Sequence, residues 1–127
     1  MKVSIEHIGL WVNNLEAMKE FYCQYFEAQA TKRYHNPKTG FSSYFLNFGQ
    51  GTRLELMHKE GLNKQDHNQF GLAHLAFSLG SREKVDAFAY AMQDKGYPIE
   101  NGPRTTGDGY YEAVITDPEG NKIEVTI

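Results

Sequence analysis

The sequence predicts an α+β fold built from two similar halves, each running strand, helix, strand, strand, strand. Three observations carry this. Twice along the chain, apolar residues at strand spacing give way to a helical stripe and then return to strand spacing. The polar stretch KEGLNKQDHNQFG separates the two runs, and residues of the first run fall on chemically matching residues of the second. At 127 residues the chain suits one domain with a substantial core rather than two ordinary ones. The expected organisation is a single domain over 1–127, with a first module at 1–58 and a second at 71–127.

In the opening segment VSIEHIGLWV, alternation puts Ile8, Leu10 and Val12 on one strand face and Ile5, His7, Gly9 and Trp11 on the other. NNLEAMKEFYCQYFE then turns helical. Asn13 and Glu16 have capping-box spacing, and Leu15, Met18, Phe21, Tyr22, Tyr25 and Phe26 form its apolar stripe. Three strands follow, ATKRYH, FSSYFLNF and TRLELMH, divided by the breaker clusters NPKTG and GQG. After the polar connection the order restarts with GLAHLAFSL as a strand and SREKVDAFAYAMQDKG as a helix. Ser81 is its expected cap, Val85, Phe88 and Met92 its stripe, and Gly96 its stop. The last strands are expected around YPIENGP, YYEAVIT and KIEVTI, with DPEG as the turn before the final one.

Composition narrows the function. With 40% hydrophobic and 23% charged residues the chain is of globular type, and a net charge of -3 gives no basic field for nucleic acid, so DNA and RNA are not expected partners. No apolar run is long enough to span a bilayer, and MKVSIEHIGL reads as a strand rather than a signal peptide, so a cytoplasmic address with no membrane partner is expected. The single cysteine, Cys23, cannot form an intrachain disulfide. It lies in a helical pattern with no histidine base nearby in sequence, which favours a half-buried thiol over a nucleophile.

Aligning His7 with His74 places Ile8, Leu10 and Val12 on Leu75, Phe77 and Leu79, and with a small further offset Glu55 falls on Glu124. Alternation gives these four ionisable residues a common direction. Glu55 points away from Leu54 and Leu56, Glu124 away from Ile123 and Val125, and both histidines away from the helix-facing residues of their strands. Taken singly, a strand histidine is usually structural and a strand glutamate is usually solvated. Repeated in register, two imidazoles and two carboxylates suit a divalent transition metal, because the imidazoles supply nitrogen donors and the carboxylates offset the charge. If each sheet curves and the halves pair, the four would face a shared concavity. His35, His58 and His67 have no counterpart in the repeat and read as solvated. Glu112 has an ambiguous direction and is left out of the set, Tyr110 and Tyr111 offer a pocket wall or packing, and Arg53 and Lys122 offer attraction for an anionic substrate or ordinary surface charge.

HIGLWVNNLEAMKEFY, TRLELMH, GLAHLAFSL and DPEGNKIEV together resemble the vicinal oxygen chelate superfamily of glyoxalase I, bleomycin-resistance proteins and extradiol dioxygenases, over essentially the whole chain. The resemblance implies paired βαβββ modules forming curved mixed sheets, with the helices on the outer face. It also implies a divalent metal (nickel, cobalt, zinc, manganese or iron) held by His7, Glu55, His74 and Glu124. The ligand set is most similar to that of bacterial glyoxalase I. The helix after EFYCQY usually ends in Leu-Gly in this family, whereas here it reads Phe26-Glu27.

The resemblance further implies a homodimeric, metal-dependent lyase or isomerase. It would act on a small substrate with adjacent oxygens, such as the hemithioacetal of methylglyoxal with glutathione or another thiol, through an enediolate. Glu124 is then the proton-shuttling base and Glu55 the second candidate. The alternatives are a related metalloenzyme (thiol transferase, epimerase or dioxygenase) and a resistance protein that binds a small molecule without turnover.

Overall fold

A computed structural model describes residues 1–64 and 69–127. The chain divides into two compact units, Met1–Lys64 and the remainder. Among the described residues no helix is long and apolar enough to cross a membrane.

The first unit opens with β1 (His7–Trp11) and α1 (Leu15–Tyr25). The helix is capped by Asn14, whose side chain accepts from the Ala17 N–H at 3.0 Å. This corrects the expected cap at Asn13: the chain enters the helix one residue later, and the Asn14 carbonyl takes the first helical bond, from Met18. The expected strand ATKRYH is two short ones, β2 (Gln29–Ala30) and β3 (Tyr34–Asn36), both paired antiparallel to β4 (Phe41–Asn47). With β5 (Arg53–His58) the described strands form a sheet ordered β1-β5-β4-β2, β1 and β5 being parallel neighbours. Leu54, Leu56, Leu46 and Tyr44 are buried on the side that meets α1, together with Leu15, Met18, Phe21 and Tyr22 of the helix.

The second unit repeats the plan. β6 (His74–Ser78) leads to α2 (Arg82–Asp94), then β7 (Asn101–Thr105), β8 (Tyr111–Thr116) and β9 (Lys122–Thr126), in the sheet order β6-β9-β8-β7. Ser81 caps α2 by accepting from the Lys84 N–H, and Gly96 follows the helix with φ of 91°, the left-handed stop that glycine adopts without steric cost. In α2 the buried residues are Val85, Ala89 and Met92; Phe88, expected in that stripe, is only half-buried. β7 starts later than YPIENGP suggested. The DPEG turn is tied by the buried Asp117. Its carboxylate accepts from the backbone N–H groups of Glu119 and Asn121, each at 2.9 Å, and from the Asn121 side chain.

Both sheets mix parallel and antiparallel pairs, each with a helix against one face, so the architecture is α+β as expected. In each unit the last strand lies in the middle of the sheet, beside the first.

Candidate functional site

Each unit brings one histidine and one glutamate together on the sheet face opposite its helix. In the first, β1 and β5 pair in parallel with His7 against Arg53 and Gly9 against Glu55. His7 and Glu55 therefore share a face, and Nε2 of His7 lies 3.8 Å from Oε1 of Glu55. In the second, His74 pairs with Lys122 and Ala76 with Glu124, and Nε2 of His74 lies 3.4 Å from Oε2 of Glu124. The carboxylates are the more enclosed partners, with Glu55 and Glu124 side chains 17% and 23% exposed against 42% for each imidazole. Among the described residues no group of three or more His, Cys, Asp and Glu side chains is gathered to hold a metal ion. The four expected ligands come as two pairs, one to a unit.

The directions inferred from alternation hold within each unit. Leu54, Leu56, Ile123 and Val125 are buried toward the helices, and the glutamates between them face the other way. The residues directly opposite the glutamates on the first strands are small, Gly9 and Ala76, and each carboxylate lies near a histidine one alternation further back. Gly9 is close-packed as well as small: a Cβ there would come within 2.8 Å of Cε of Met57.

Two carboxylates outside the expected set belong to these surfaces. Glu6 lies against His7, with Oε1 at 2.9 Å from Nδ1. Hydrogen bonds from Arg53 and then from His7 lower its carboxyl to about 2. Arg53 is thereby engaged, and its guanidinium also stacks 4.2 Å from the centre of the Phe45 ring. Sequence reasoning passed over Glu6 because alternation through VSIEHIGLWV sets it with Ile8 and Leu10, away from His7, whereas the observed strand begins only at His7 and alternation does not govern Glu6; its position next to His7 was the available signal.

Glu112 is the second. Val114 of β8 pairs with Glu124, so Glu112, two residues earlier, shares that face with Glu124, which resolves its direction. Burial raises its carboxyl above the usual carboxylate range, a hydrogen bond and charge repulsion from Glu124 add to this, and Arg104, its register partner on β7, opposes it.

Other residues stand apart from both pairs. Tyr111 lies with the helix-side set of β8, donates to the Asp86 carboxylate on α2 and is covered by Arg82 at 4.1 Å, so it packs rather than lining the His74–Glu124 surface. Tyr110 is exposed. His58 is half-buried with Nδ1 2.8 Å from the Val12 carbonyl, and Nδ1 of His35 lies 2.7 Å from Oγ of Ser42, so neither is merely solvated. His67 lies outside the described residues. Cys23 is a half-buried free thiol on α1.

Comparison with known proteins agrees with this architecture. The chain is 28% identical over 130 residues to YqjT of Bacillus subtilis (strain 168), covering 95% of this chain and 96% of that protein. It is 27% identical over 124 residues to a probable lactoylglutathione lyase of Synechocystis sp., covering 94% and 91%. The trypanothione-dependent glyoxalase I of Leishmania major superposes with a TM-score of 0.79 at 22% identity, over 98% of this chain and 86% of that one. A model of the glyoxalase/bleomycin resistance protein/dioxygenase superfamily matches residues 4–125. Nearly the whole chain, both His–Glu pairs included, falls within that match, and the protein belongs to the glyoxalase/bleomycin resistance protein/dioxygenase superfamily.

Proposed function

We propose that the protein is a metal-dependent lyase of the glyoxalase I type, with His7, Glu55, His74 and Glu124 as ligands of one divalent ion. The observation that carries this is the doubled His–Glu pair: the same two donor types, on the same strands, on the helix-free face of each unit. The donor chemistry fits. Unprotonated imidazole nitrogen and carboxylate oxygen suit nickel, cobalt, zinc, manganese or iron, and separations of 3.8 and 3.4 Å between donors are compatible with two ligands converging on one ion about 2.0–2.2 Å from each. The likeness to a probable lactoylglutathione lyase supports the reaction type.

When bound, the ion supplies Lewis acidity to two adjacent oxygens of the substrate. The chain's own residues do the rest. Glu124 removes the proton from the carbon that carries the hydroxyl and the thioether and returns it to the former carbonyl carbon, while the hydroxyl proton passes to the former carbonyl oxygen, leaving a thioester beside a new hydroxyl; Glu55 is the second candidate for the carbon-to-carbon transfer. The substrate class is the hemithioacetal of methylglyoxal with glutathione or another thiol, and the working form is a homodimer in the cytoplasm.

Purified protein loaded separately with nickel, cobalt, zinc and manganese, then mixed with methylglyoxal and glutathione, tests the reading by the thioester absorbance of the product. Turnover with at least one metal is expected. No turnover with any of them overturns the glyoxalase reaction and leaves a different chemistry on the same ligands, and a monomeric mass by light scattering overturns the dimer.

A further inference from the structure

One histidine of the candidate site is braced and its counterpart is not braced in the same way. The Glu6 carboxylate lies against Nδ1 of His7 at 2.9 Å. Arg53 holds that carboxylate with two donors, Nε to Oε2 at 2.9 Å and a terminal guanidinium nitrogen to Oε1 at 2.6 Å. The guanidinium stacks over Phe45, whose ring in turn meets the His7 ring edge to face at 5.2 Å and 83°. His7, Glu6, Arg53 and Phe45 thus form a closed cycle of contacts. The main chain anchors it, since the Arg53 N–H donates to the Glu6 carbonyl at 2.9 Å and the Thr52 hydroxyl to the Ile5 carbonyl at 2.8 Å.

The repeat shows that this brace is particular to the first unit. Where the first unit has Glu6 and Arg53, the second has Ala73 and Lys122. Alanine supplies no acceptor for the His74 ring.

A carboxylate only accepts hydrogen bonds, so the ring nitrogen facing Glu6 is the one that carries hydrogen. The other, Nε2, then keeps its lone pair and is the nitrogen nearest Glu55. A carboxylate bonded to the far nitrogen of a ligating histidine fixes its tautomer and orientation and strengthens it as a donor.

We propose that Glu6, held by Arg53, is a positioning residue that locks His7 in the tautomer presenting Nε2 for metal binding, an assignment that rests on the metal reading given above. His7 is then the pre-organised histidine of the set, and His74 must select its tautomer when metal arrives.

Two measurements on the wild type, Glu6→Ala and Glu6→Gln test this. In metal-free, 15N-labelled protein at a pH where histidine is neutral, long-range proton–nitrogen spectra should show His7 as the Nδ1–H tautomer in the wild type. In Glu6→Ala it should move toward the Nε2–H form that free imidazole side chains favour, with His74 unchanged. Cobalt titration followed by visible absorbance should show affinity weakened about 10–100-fold in Glu6→Ala. Glu6→Gln, whose amide oxygen still accepts, should recover part of both effects, which a merely structural role for Glu6 would not produce. An unchanged His7 tautomer in Glu6→Ala overturns the proposal, as does equal cobalt affinity in all three proteins, and either result leaves the metal site standing. A wild type that takes up no cobalt overturns this proposal and the metal reading together.

Discussion

Glu124 leans diagonally across two parallel strands. Its register partner on β6 is Ala76, yet its Oε2 lies 3.4 Å from Nε2 of His74, two residues earlier on the same face. Glu55 repeats the relation with Gly9 as partner and His7 two residues back. Replacing either carboxylate by its amide keeps the shape and removes the charge. Glu124→Gln is expected to lower kcat by about 10²–10⁴-fold, as for loss of a general base, and Glu55→Gln by less. Steady-state kinetics with metal content measured on the same samples checks the order; equal losses in the two variants would remove the distinction between base and ligand.

If the proposed site holds a divalent ion, that ion stabilises the fold, because each His–Glu pair forms only in the native state. A divalent ion at about 100 times its Kd adds roughly 2.7 kcal/mol. Thermal unfolding before and after chelator treatment, followed by restoration of the ion, should show Tm falling and recovering. A Tm indifferent to nickel, cobalt and zinc would count against the site.

Glu112 is expected to lower stability at neutral pH. Its carboxyl titrates above the ordinary value because of burial and of Glu124 beside it, so the folded state holds that proton more tightly than the unfolded chain does. Stability is therefore greater below the unfolded value and is lost as pH rises through the folded one. Glu112→Gln should raise stability in the metal-free protein at pH 7 by about 0.2–1 kcal/mol, the scale of a like-charge cross-strand pair. The gain should vanish near pH 4. Urea denaturation at the two pH values measures it.

Tyr44 and Glu16 act with the opposite sign. The buried phenol of β4 donates to the Glu16 carboxylate on α1, 2.8 and 3.0 Å from its two oxygens, and this bond is the largest cause lowering the carboxyl below 4.5. That stabilisation is present above the unfolded value and is lost as pH falls through the folded one. Tyr44→Phe should cost about 1 kcal/mol at pH 7, the bond being weakened by the partial exposure of Glu16, and progressively less in acid. A cost independent of pH would show that the effect lies in packing.

Glu27 stands where α1 stops, with φ of 57°, the one non-glycine at positive φ among the described residues. A side chain there costs roughly 1–2 kcal/mol in backbone strain, which glycine escapes at some entropic cost. Glu27→Gly should therefore raise unfolding free energy by about 1 kcal/mol. Denaturant curves decide it.

Much of this was legible in the sequence because strand alternation and helical stripes are local signals. TRLELMH and KIEVTI each announced an apolar face and placed a glutamate opposite it, and burial of Leu54, Leu56, Ile123 and Val125 agrees. DPEG announced its turn, which Asp117 holds. What alternation cannot supply is contact between elements. Whether Glu112 faces Glu124 depends on the β8–β9 register, and the grip of Arg53 on Glu6 joins residues far apart in sequence. Ala89 displaced Phe88 from the buried stripe of α2 for the same reason: the helix's rotation is set by the sheet it lands on. The two His–Glu pairs were legible as pairs; their convergence on one ion is a matter for the metal and kinetic tests.

The central placement of β5 and β9 has a consequence for the order in which the protein is made. Each is the last strand of its unit to leave the ribosome, yet each must slot between two strands already synthesised, β1 and β4 or β6 and β8. The first-strand histidine waits through most of its unit before its glutamate exists. Long-range parallel pairing of this kind is slow to form, so the step that closes each sheet is also the step that first creates its pair of donors. In each unit the histidine and the glutamate come side by side only when the first strand pairs with the last.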